Sequence, residues 1–205
     1  MAKDNVLILV DNGHGNNTPG KRSPDGKLIE ATYTREIASK VVYELRRLGY
    51  DADFLTPELY DVSLLERVHR VNVKCHSRGK ENVLCVSIHC NAAGSGSKWM
   101  NATGWEIWTS PGKTKSDDLA DHFMSMAKRN FDGQTIREWK QVDGERDKEA
   151  KFTILTGTLC PAVLTENFFM DSKRDVKYLL STEGRNAVIR CHVDAIVSYI
   201  AATMN

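Results

Sequence analysis

The sequence predicts one α/β domain over residues 1–205, with a mostly parallel twisted β-sheet of about six strands and helices on both faces. Three observations support this fold class. Short apolar runs alternate along the chain with segments whose apolar residues recur at helical spacing. The apolar runs are continuous, as in strands that are buried on both faces. The length of 205 residues suits one domain with a substantial core, and we find no repeat and no convincing linker.

The first half of the chain supplies three strands and two helices in alternation. An apolar run predicts a strand over residues 5–10, which a loop rich in Gly, Asn and Pro follows over 11–29. Apolar residues at helical spacing predict a helix over 34–48, and Gly49 provides the stop signal. A second strand is predicted over 51–56, a second helix over 63–79 and a buried central strand over 83–89. The inward residues predicted for the second helix are Leu64, Leu65, Val68, Val71 and Cys75.

The second half continues the alternation. A strand is predicted over 104–109 and a helix over 116–131. Residues 132–151 are dense in charge and are interpreted as an exposed excursion. Further strands are predicted over 152–155 and 162–165, and terminal helices over 176–180 and 185–202. The last helix carries one apolar face of Val188, Cys191, Ala195, Ile196 and Tyr199.

Charge, hydropathy and cysteine content argue against several classes of protein. The formal net charge is +1, so charge predicts no nucleic-acid partner, and no apolar run approaches the roughly 18 residues of a membrane-spanning helix. The N-terminal apolar run is too short for the core of a signal peptide, so we expect synthesis in the cytoplasm without one. The five scattered cysteines include no CxxC pair, and we expect reduced side chains that mostly pack in the core.

Three predicted strands end in residues able to carry chemistry. The first runs into Asp-Asn-Gly-His-Gly with His14, the central strand ends at His89, and the strand over 162–165 ends at Glu166. In open α/β sheets, ligands bind beyond the carboxyl ends of the strands. If these strands are parallel neighbours, the three side chains converge on one edge of the sheet.

The same residues suit a catalytic zinc ion, which needs three protein ligands and one open position for water. His14 and His89 are the obvious pair of imidazole ligands, and the glycines around His14 allow a sharp turn that leaves room for a metal. Glu30 is the best candidate for the third ligand because it ends the glycine-containing loop just before the first helix.

Four motifs then occur in order: Asp-Asn-Gly-His-Gly at 11–15, Gly-x-x-x-Glu at 26–30, Ser-Ile-His-Cys-Asn-Ala at 87–92 and Pro-Ala-Val-Leu-Thr-Glu-Asn-Phe-Phe at 161–169. Together they resemble the catalytic domain of the N-acetylmuramoyl-L-alanine amidases of the amidase 3 family. The resemblance covers nearly the whole chain, from residue 6 to the final helix. Gly-Trp-Glu-Ile-Trp at 104–108 and the stretch over 148–155 also match the family.

The resemblance implies that His14, Glu30 and His89 bind one zinc ion per chain and that Glu166 is the catalytic carboxylate. It implies hydrolysis of the amide bond between N-acetylmuramic acid and the L-alanine of the peptidoglycan stem peptide. Glu166 would take a proton from the attacking water and later give one to the leaving nitrogen. Two positions depart from the family pattern, since Asn12 stands where proline is usual and Cys90 where alanine is common. Neither removes a ligand, and Cys90 is expected to point away from the metal.

Other residues with reactive or aromatic side chains receive structural interpretations. His69, His76, His122 and His192 lack a ligand-like context and are assigned to helix surfaces or satisfied packing. Glu36, a rival ligand, is interpreted as a solvated helix residue. Trp105 and Trp108 do not share a strand face, so these two and Trp99 and Trp139 are assigned to packing rather than to a sugar platform.

Several roles stay open at this point. Glu106 lines the cleft or has a structural role, and Asn167 is a candidate for fixing the orientation of Glu166. The loop over 94–103 and the charged segment over 132–151 are interpreted as solvated, with substrate access as the alternative.

The predicted partner is peptidoglycan or a muropeptide, with no nucleic acid and no membrane insertion. One alternative is a zinc peptidase or amidase acting on soluble muropeptides or other peptides; another is a non-catalytic wall-binding module. The chain resembles a phage or prophage lysis enzyme, which would reach the wall after release from the cytoplasm. Cytoplasmic muropeptide recycling is the alternative setting.

Overall fold

A six-stranded sheet forms the centre of the computed structural model, which describes residues 5–139 and 146–203. Its strands are β1 (Leu7–Asn12), β2 (Asp51–Phe54), β3 (Val83–Asn91), β4 (Glu106–Thr109), β5 (Lys148–Glu149) and β6 (Ala162–Phe169). The helices are α1 (Glu30–Arg47), α2 (Leu64–Arg78), α3 (Lys115–Asn130), α4 (Thr153–Gly157), α5 (Lys173–Leu180) and α6 (Thr182–Thr203), and a short 3-10 helix spans Lys80–Asn82.

The strand order across the sheet is β2-β1-β3-β6-β4-β5. Strands β2, β1, β3 and β6 run parallel, β4 is antiparallel to β6, and β5 is parallel to β4. The parallel arrangement brings the carboxyl ends of β1, β3 and β6 to the same edge, where open sheets bind ligands. The predicted fold class, a mostly parallel sheet of about six strands, is therefore confirmed.

Side chains that alternate along the strands fill two core clusters, one on each face of the sheet. The first core cluster lies under α1, α3, α5 and α6 and takes Ile8 and Val10 from β1. The second core cluster lies under α2 and α4 and takes Leu7 and Leu9. Every residue of β1 is buried, which explains why its apolar run is continuous. The sheet is thus covered on both faces, as predicted.

The strand predicted over 152–155 is wrong, because this segment forms helix α4. The Phe152 carbonyl accepts hydrogen bonds from the backbone N–H groups of Leu155 and Thr156, and Ile154 and Leu155 bury in the second core cluster. A four-residue apolar run has no periodicity that separates a strand from a helical turn. The edge strand is β5, which has only two residues and carries no apolar signal.

The charged segment over 132–151 is only partly the exposed excursion that its composition predicts. Residues 140–145 of it lie outside the described residues, as do residues 1–4 of the N-terminal segment. Elsewhere in the segment, Asp147 is buried and accepts a hydrogen bond from the Thr109 hydroxyl at 2.6 Å. Lys148 forms a 2.8 Å salt bridge with buried Glu106, so charged side chains attach this segment to β4.

The predicted inward face of helix α2 is confirmed for Val71 and Cys75, which are buried, and for Val68, which packs partly buried against the second core cluster, but not for Leu64 and Leu65. Leu64 and Leu65 are 53% and 76% exposed, whereas Arg67, Val71 and Cys75 are buried at intervals of four residues. The final helix buries all five residues of its predicted apolar face, and all five cysteines are buried. Within residues 5–139 and 146–203, no helix combines the length and apolar character needed to cross a membrane.

A candidate metal centre at the carboxyl edge of the sheet

His14, Glu30 and His89 meet just beyond the carboxyl ends of β1 and β3. One ligand atom from each lies within 4.8 Å of the others. His14 Nε2 is 3.4 Å from Glu30 Oε2, and His89 Nδ1 is 3.2 Å from Glu30 Oε1. Strand β1 leads into His14, α1 begins at Glu30, and β3 contains His89. The structure therefore brings together all three ligands that the resemblance implies.

The loop after β1 can hold His14 in place because glycines flank it. His14 adopts a φ of 62°, a left-handed conformation that L residues rarely take. A Cβ on Gly13 would lie 2.6 Å from His89 Nδ1, so the imidazole of His89 needs the bare backbone there. A Cβ on Gly15 would overlap the backbone of Tyr60 and Asp61. Glycine is required at both positions for close approach rather than for flexibility.

The two oxygens of the buried Glu30 carboxylate differ in their hydrogen bonding to the described residues. Glu30 Oε1 accepts a hydrogen bond from the backbone N–H of Cys90 at 3.0 Å. Glu30 Oε2 is buried and accepts no hydrogen bond from the described residues. A buried carboxylate oxygen without a donor costs free energy unless a cation satisfies it. This oxygen faces Nε2 of His14, where a metal ion would satisfy it.

The donor set and its spacing fit a tetrahedral zinc ion. Two imidazoles and one carboxylate are a known ligand set for catalytic zinc, with metal–ligand distances of about 2.0–2.2 Å. Tetrahedral angles at those distances put neighbouring ligand atoms about 3.3–3.6 Å apart. The two N···O distances of 3.4 and 3.2 Å agree closely with that spacing.

Burial and mutual contact set the protonation of the three candidate ligands. Burial lowers the pKa of His14 to about 4, so its ring is neutral at pH 7 and has a lone pair to donate. Burial opposes ionisation of Glu30, but the hydrogen bond and charge of His89 outweigh burial and lower the pKa of Glu30. Burial likewise opposes protonation of His89, and the Glu30 contact outweighs it and raises the pKa of His89. A metal cation between these three side chains would stabilise the charge of the Glu30 carboxylate in place of the proton on His89.

Glu166 lies beside the three candidate ligands on β6. It is the register partner of His89 across β3 and β6, and both side chains line the same cavity. Its Oε2 is buried without a hydrogen-bond partner among the described residues. Burial, together with the charges of Glu30 and Glu106, raises the pKa of Glu166 to about 8. A carboxyl group with this pKa can accept and return a proton near neutral pH.

A cavity of about 520 Å³ opens over these groups. Its floor contains His14, His89 and Glu166, and its walls come from the β2–α2 loop, the start of α2 and the segment leading into α4. The lining of the cavity also includes apolar side chains and two lysines: Val62, Leu64, Phe152, Ile154, Leu164, Lys21 and Lys151. The predicted alternative that residues 132–151 reach the cleft holds for Lys151, the last residue of that segment.

A buried ion pair supports the floor of the cavity, and the sequence analysis did not identify it. Asp11 Oδ1 accepts hydrogen bonds from Arg67 at 2.6 Å and from the Thr56 hydroxyl at 3.0 Å, and Oδ2 accepts one from the Ser87 hydroxyl at 2.7 Å. Arg67 also donates to the backbone oxygen of Val62. The network ties α2 to β1 and β3, and Asp11, Arg67 and Ser87 line the same cavity as His14 and His89. The signal was present, since Arg67 precedes buried Val71 and Cys75 at four-residue spacing.

Asn167 and Glu106 have structural roles in the contacts that the structure records. Asn167 donates to the His89 carbonyl oxygen and accepts from Trp105 Nε1, and neither contact involves Glu166. Adjacent strand residues point to opposite faces, which explains why Asn167 does not orient its neighbour. Glu106 is buried and forms salt bridges with Arg137 and Lys148. It does not line the cavity.

The remaining candidates lie away from the metal centre. Trp105 packs in the first core cluster and Trp108 against the second, so they lie on opposite faces as expected. His192 is buried and its ring nitrogens contact the Thr165 hydroxyl and the Val188 carbonyl. Glu36 is 3.4 Å from Arg185. Cys90 packs in the first core cluster and does not line the cavity.

Comparisons with known proteins give matches to amidases and to an endolysin. A family model described as N-acetylmuramoyl-L-alanine amidase matches residues 8–198. The N-acetylmuramoyl-L-alanine amidase CwlM of Bacillus licheniformis is 28% identical over 198 residues, which are 93% of this chain and 67% of that protein. The endolysin of Bacillus phage SPP1 is 25% identical over 199 residues, 95% of this chain and 66% of that protein.

A solved structure shares the fold. The N-acetylmuramoyl-L-alanine amidase from Clostridium difficile 630 superposes with a TM-score of 0.81, with 22% identity over 97% of this chain and 98% of that one. At this level of identity the similarity supports the architecture of the sheet and helices rather than the roles of individual side chains.

Proposed function

The chain belongs to the N-acetylmuramoyl-L-alanine amidase family, and we propose that it is a zinc-dependent member that cuts one defined amide bond. Family membership makes the chain a peptidoglycan amidase. The bond we propose joins the lactyl group of N-acetylmuramic acid to the L-alanine of the stem peptide. We also propose that residues 1–205 act as one catalytic domain.

One observation carries this proposal: the cluster of His14, Glu30 and His89 with Glu166 beside it on the floor of the open cavity. Each of these side chains has a property that hydrolysis needs. His14 offers a neutral ring nitrogen, Glu30 a buried oxygen that accepts no hydrogen bond from the described residues, and Glu166 a carboxyl group with a raised pKa. A non-catalytic wall-binding module would have no need for these costly buried groups.

The proposed reaction follows from the placement of the four side chains. When bound by His14, Glu30 and His89, zinc supplies a Lewis acid that polarises the carbonyl group and acidifies water. Glu166 accepts the proton that the attacking water loses as its oxygen bonds to the carbonyl carbon. The same carboxyl group then donates a proton to the amide nitrogen as the carbon–nitrogen bond breaks. The products are a lactyl carboxylate and a peptide with a free alanine amino group.

We propose that the enzyme acts at the bacterial cell wall. Its similarity to the endolysin of Bacillus phage SPP1 supports this setting. The cavity is open to solvent along the walls formed by the β2–α2 loop and the segment before α4, which suits a substrate that belongs to a large polymer.

The test is the release of new alanine amino termini from purified sacculi and from small muropeptides, with mass spectrometry of the products. We expect release from sacculi by the zinc-loaded protein, loss of release with a chelator, and its return when zinc is restored. Release from small muropeptides alone would favour a soluble-muropeptide amidase. Wall binding without release, in a folded and zinc-loaded sample, would favour the binding module and refute the proposal.

A further inference from the structure

Two lysines share the catalytic cavity without a salt bridge to any residue that the structure describes. Lys21 and Lys151 both line the cavity that contains His14 and Glu166. Among the described residues, the lysines that form salt bridges are Lys27, Lys128 and Lys148. A lysine without a partner at the edge of a solvated cleft keeps its charge available for a substrate.

Lys21 lies close to the reacting groups and on an anchored piece of backbone. It is half-buried, and its carbonyl oxygen accepts a hydrogen bond from the backbone N–H of Glu30 at 2.9 Å. Arg22 pairs with Ile29 in an adjacent isolated bridge, which holds the two ends of this loop together. Lys21 lines the same cavity as His14 and Glu166, so its positive charge belongs to the space in which the proposed reaction takes place.

Lys151 stands at another part of the cavity wall. It precedes Phe152 and helix α4, which pack on the face of the sheet that holds the second core cluster. Lys21 instead belongs to the loop that leads into α1, which covers the opposite face. Lys151 is exposed, so its charge contributes mainly long-range attraction that salt would screen.

The acidic groups of the cavity form no salt bridge with either lysine among the described residues. Asp11 and Asp61 share one cation, Arg67, at 2.6 Å and 3.2 Å. Glu30 contacts the two histidines of the metal centre. Two ammonium groups that form no salt bridge with the described residues thus line the cleft together with apolar side chains such as Val62 and Leu164. This combination suits a peptide that carries both small apolar side chains and a free carboxylate.

We propose that Lys21 binds a carboxylate of the stem peptide and that the amidase thereby selects stem peptides whose acidic second residue is a free acid over those in which it is amidated. Lys151 adds attraction at the mouth of the cleft. This inference rests on the proposed function, because it assigns the stem peptide to the same cavity. A different role for Lys21, stabilisation of the oxyanion at the scissile carbonyl, would affect both kinds of substrate equally.

The experiment compares two substrates with the zinc-loaded full chain. The first is N-acetylmuramoyl-L-alanyl-γ-D-glutamyl-L-lysinamide, whose one free carboxylate is the α-carboxylate of the second stem residue, and the second is the same compound with that carboxylate amidated. We expect kcat/KM to favour the acid by about tenfold, the effect of one charge-assisted hydrogen bond at a partly exposed site. Lys21→Met should bring the ratio of the two kcat/KM values close to one, and Lys21→Arg should restore most of it. Lys151→Met should reduce the ratio by about twofold, and less at high salt.

Lys27→Met is the matched control, since Lys27 lies in the same loop but outside the cavity and pairs with Asp25. It should leave the ratio unchanged. A wild-type ratio near one would overturn the inference, as would an equal loss on both substrates in Lys21→Met. If the wild-type protein cleaves neither compound and releases no alanine amino termini from sacculi, the proposed function fails instead. Equilibrium binding of both compounds to zinc-loaded Glu166→Gln then tests Lys21 independently, and equal affinities would refute its role.

Discussion

Glu166→Gln should stabilise the metal-free protein, and the gain should grow with pH. Burial raises the pKa of Glu166 from its ordinary 4.5 to about 8, and its Oε2 has no donor among the described residues. A carboxyl group with a raised folded pKa contributes its full stability below pH 4.5 and loses it as the pH rises towards 8. Glutamine has nearly the same shape and no charge to bury.

The magnitude follows from the two pKa values. At pH 7 the carboxyl group of Glu166 is ionised in the unfolded chain but keeps its proton in the folded protein, so folding takes up one proton. This uptake occurs about 2.5 pH units above the ordinary pKa of 4.5. Each unit corresponds to about 1.4 kcal/mol, which gives a cost of about 3 kcal/mol at pH 7. In a chain of this size, about 3 kcal/mol raises the Tm by roughly 6–12 °C.

The assay is denaturant unfolding of both proteins in the presence of a chelator, at pH 4.5, 6, 7 and 8. The free energy of unfolding of Glu166→Gln should match wild type at pH 4.5 and exceed it increasingly up to pH 8. Glu36→Gln is the control, because Glu36 is about half exposed and should change stability by less than about 1 kcal/mol with no such trend. A constant difference across this pH range, or a wild-type protein that is the more stable at pH 8, would refute the argument from burial.

Three further predictions concern Gly13, Arg67 and His192, which support the site or the core of the protein. Gly13→Ala should weaken zinc binding about 10- to 100-fold, as measured by chelator competition, because the new Cβ would lie 2.6 Å from His89 Nδ1. Arg67→Met should lower the free energy of unfolding by about 3–5 kcal/mol, because it leaves Asp11 buried without its cation. Burial lowers the pKa of His192 to about 4. The stability that its neutral ring gives to the folded state is therefore present above pH 6.5 and is lost as the pH falls towards 4. When the pH is lowered from 6.5 to 5, the free energy of unfolding measured in denaturant titrations should fall by about 2 kcal/mol more in wild type than in His192→Asn.

The predictions for Gly13 and Arg67 each have a matched control in the same chain. Gly94→Ala should leave zinc affinity unchanged, since its Cβ would make only ordinary contacts. Arg70→Met removes a more exposed arginine from the same helix and should cost about 1 kcal/mol or less. The argument for Arg67 is wrong if both arginine variants lose similar stability. Parallel pH profiles for wild type and His192→Asn would show that His192 is not buried in its neutral form.

The convergence of His14, His89 and Glu166 was predictable because parallel strands end at a common edge. Each of the three follows or lies within a continuous apolar run, which places it on a buried strand of the sheet. The inward face of α6 was also readable from its periodicity. Glu30 was harder, since its orientation depends on a loop, and the position of its oxygens depends on the backbone N–H of Cys90.

Features that depend on contacts between distant segments were not predictable. The two-residue strand β5 pairs with neighbouring β4, to which Lys148 also forms a salt bridge through Glu106, and no local pattern marks such a strand. Helix α4 is too short for its periodicity to be read. Phe168 takes a φ of 66° where the register between β3 and β6 shifts, a bulge that sequence periodicity does not reveal.

The most direct test of the central claim separates metal binding from proton transfer in one variant. Purified Glu166→Gln and wild-type protein are compared for zinc content and for release of alanine amino termini from peptidoglycan. The account predicts one zinc ion per chain in both proteins and a rate at least 10²-fold lower in Glu166→Gln, as expected when a general base is lost. A variant that loses its zinc, or that keeps zinc and hydrolyses peptidoglycan near the wild-type rate, would contradict the account.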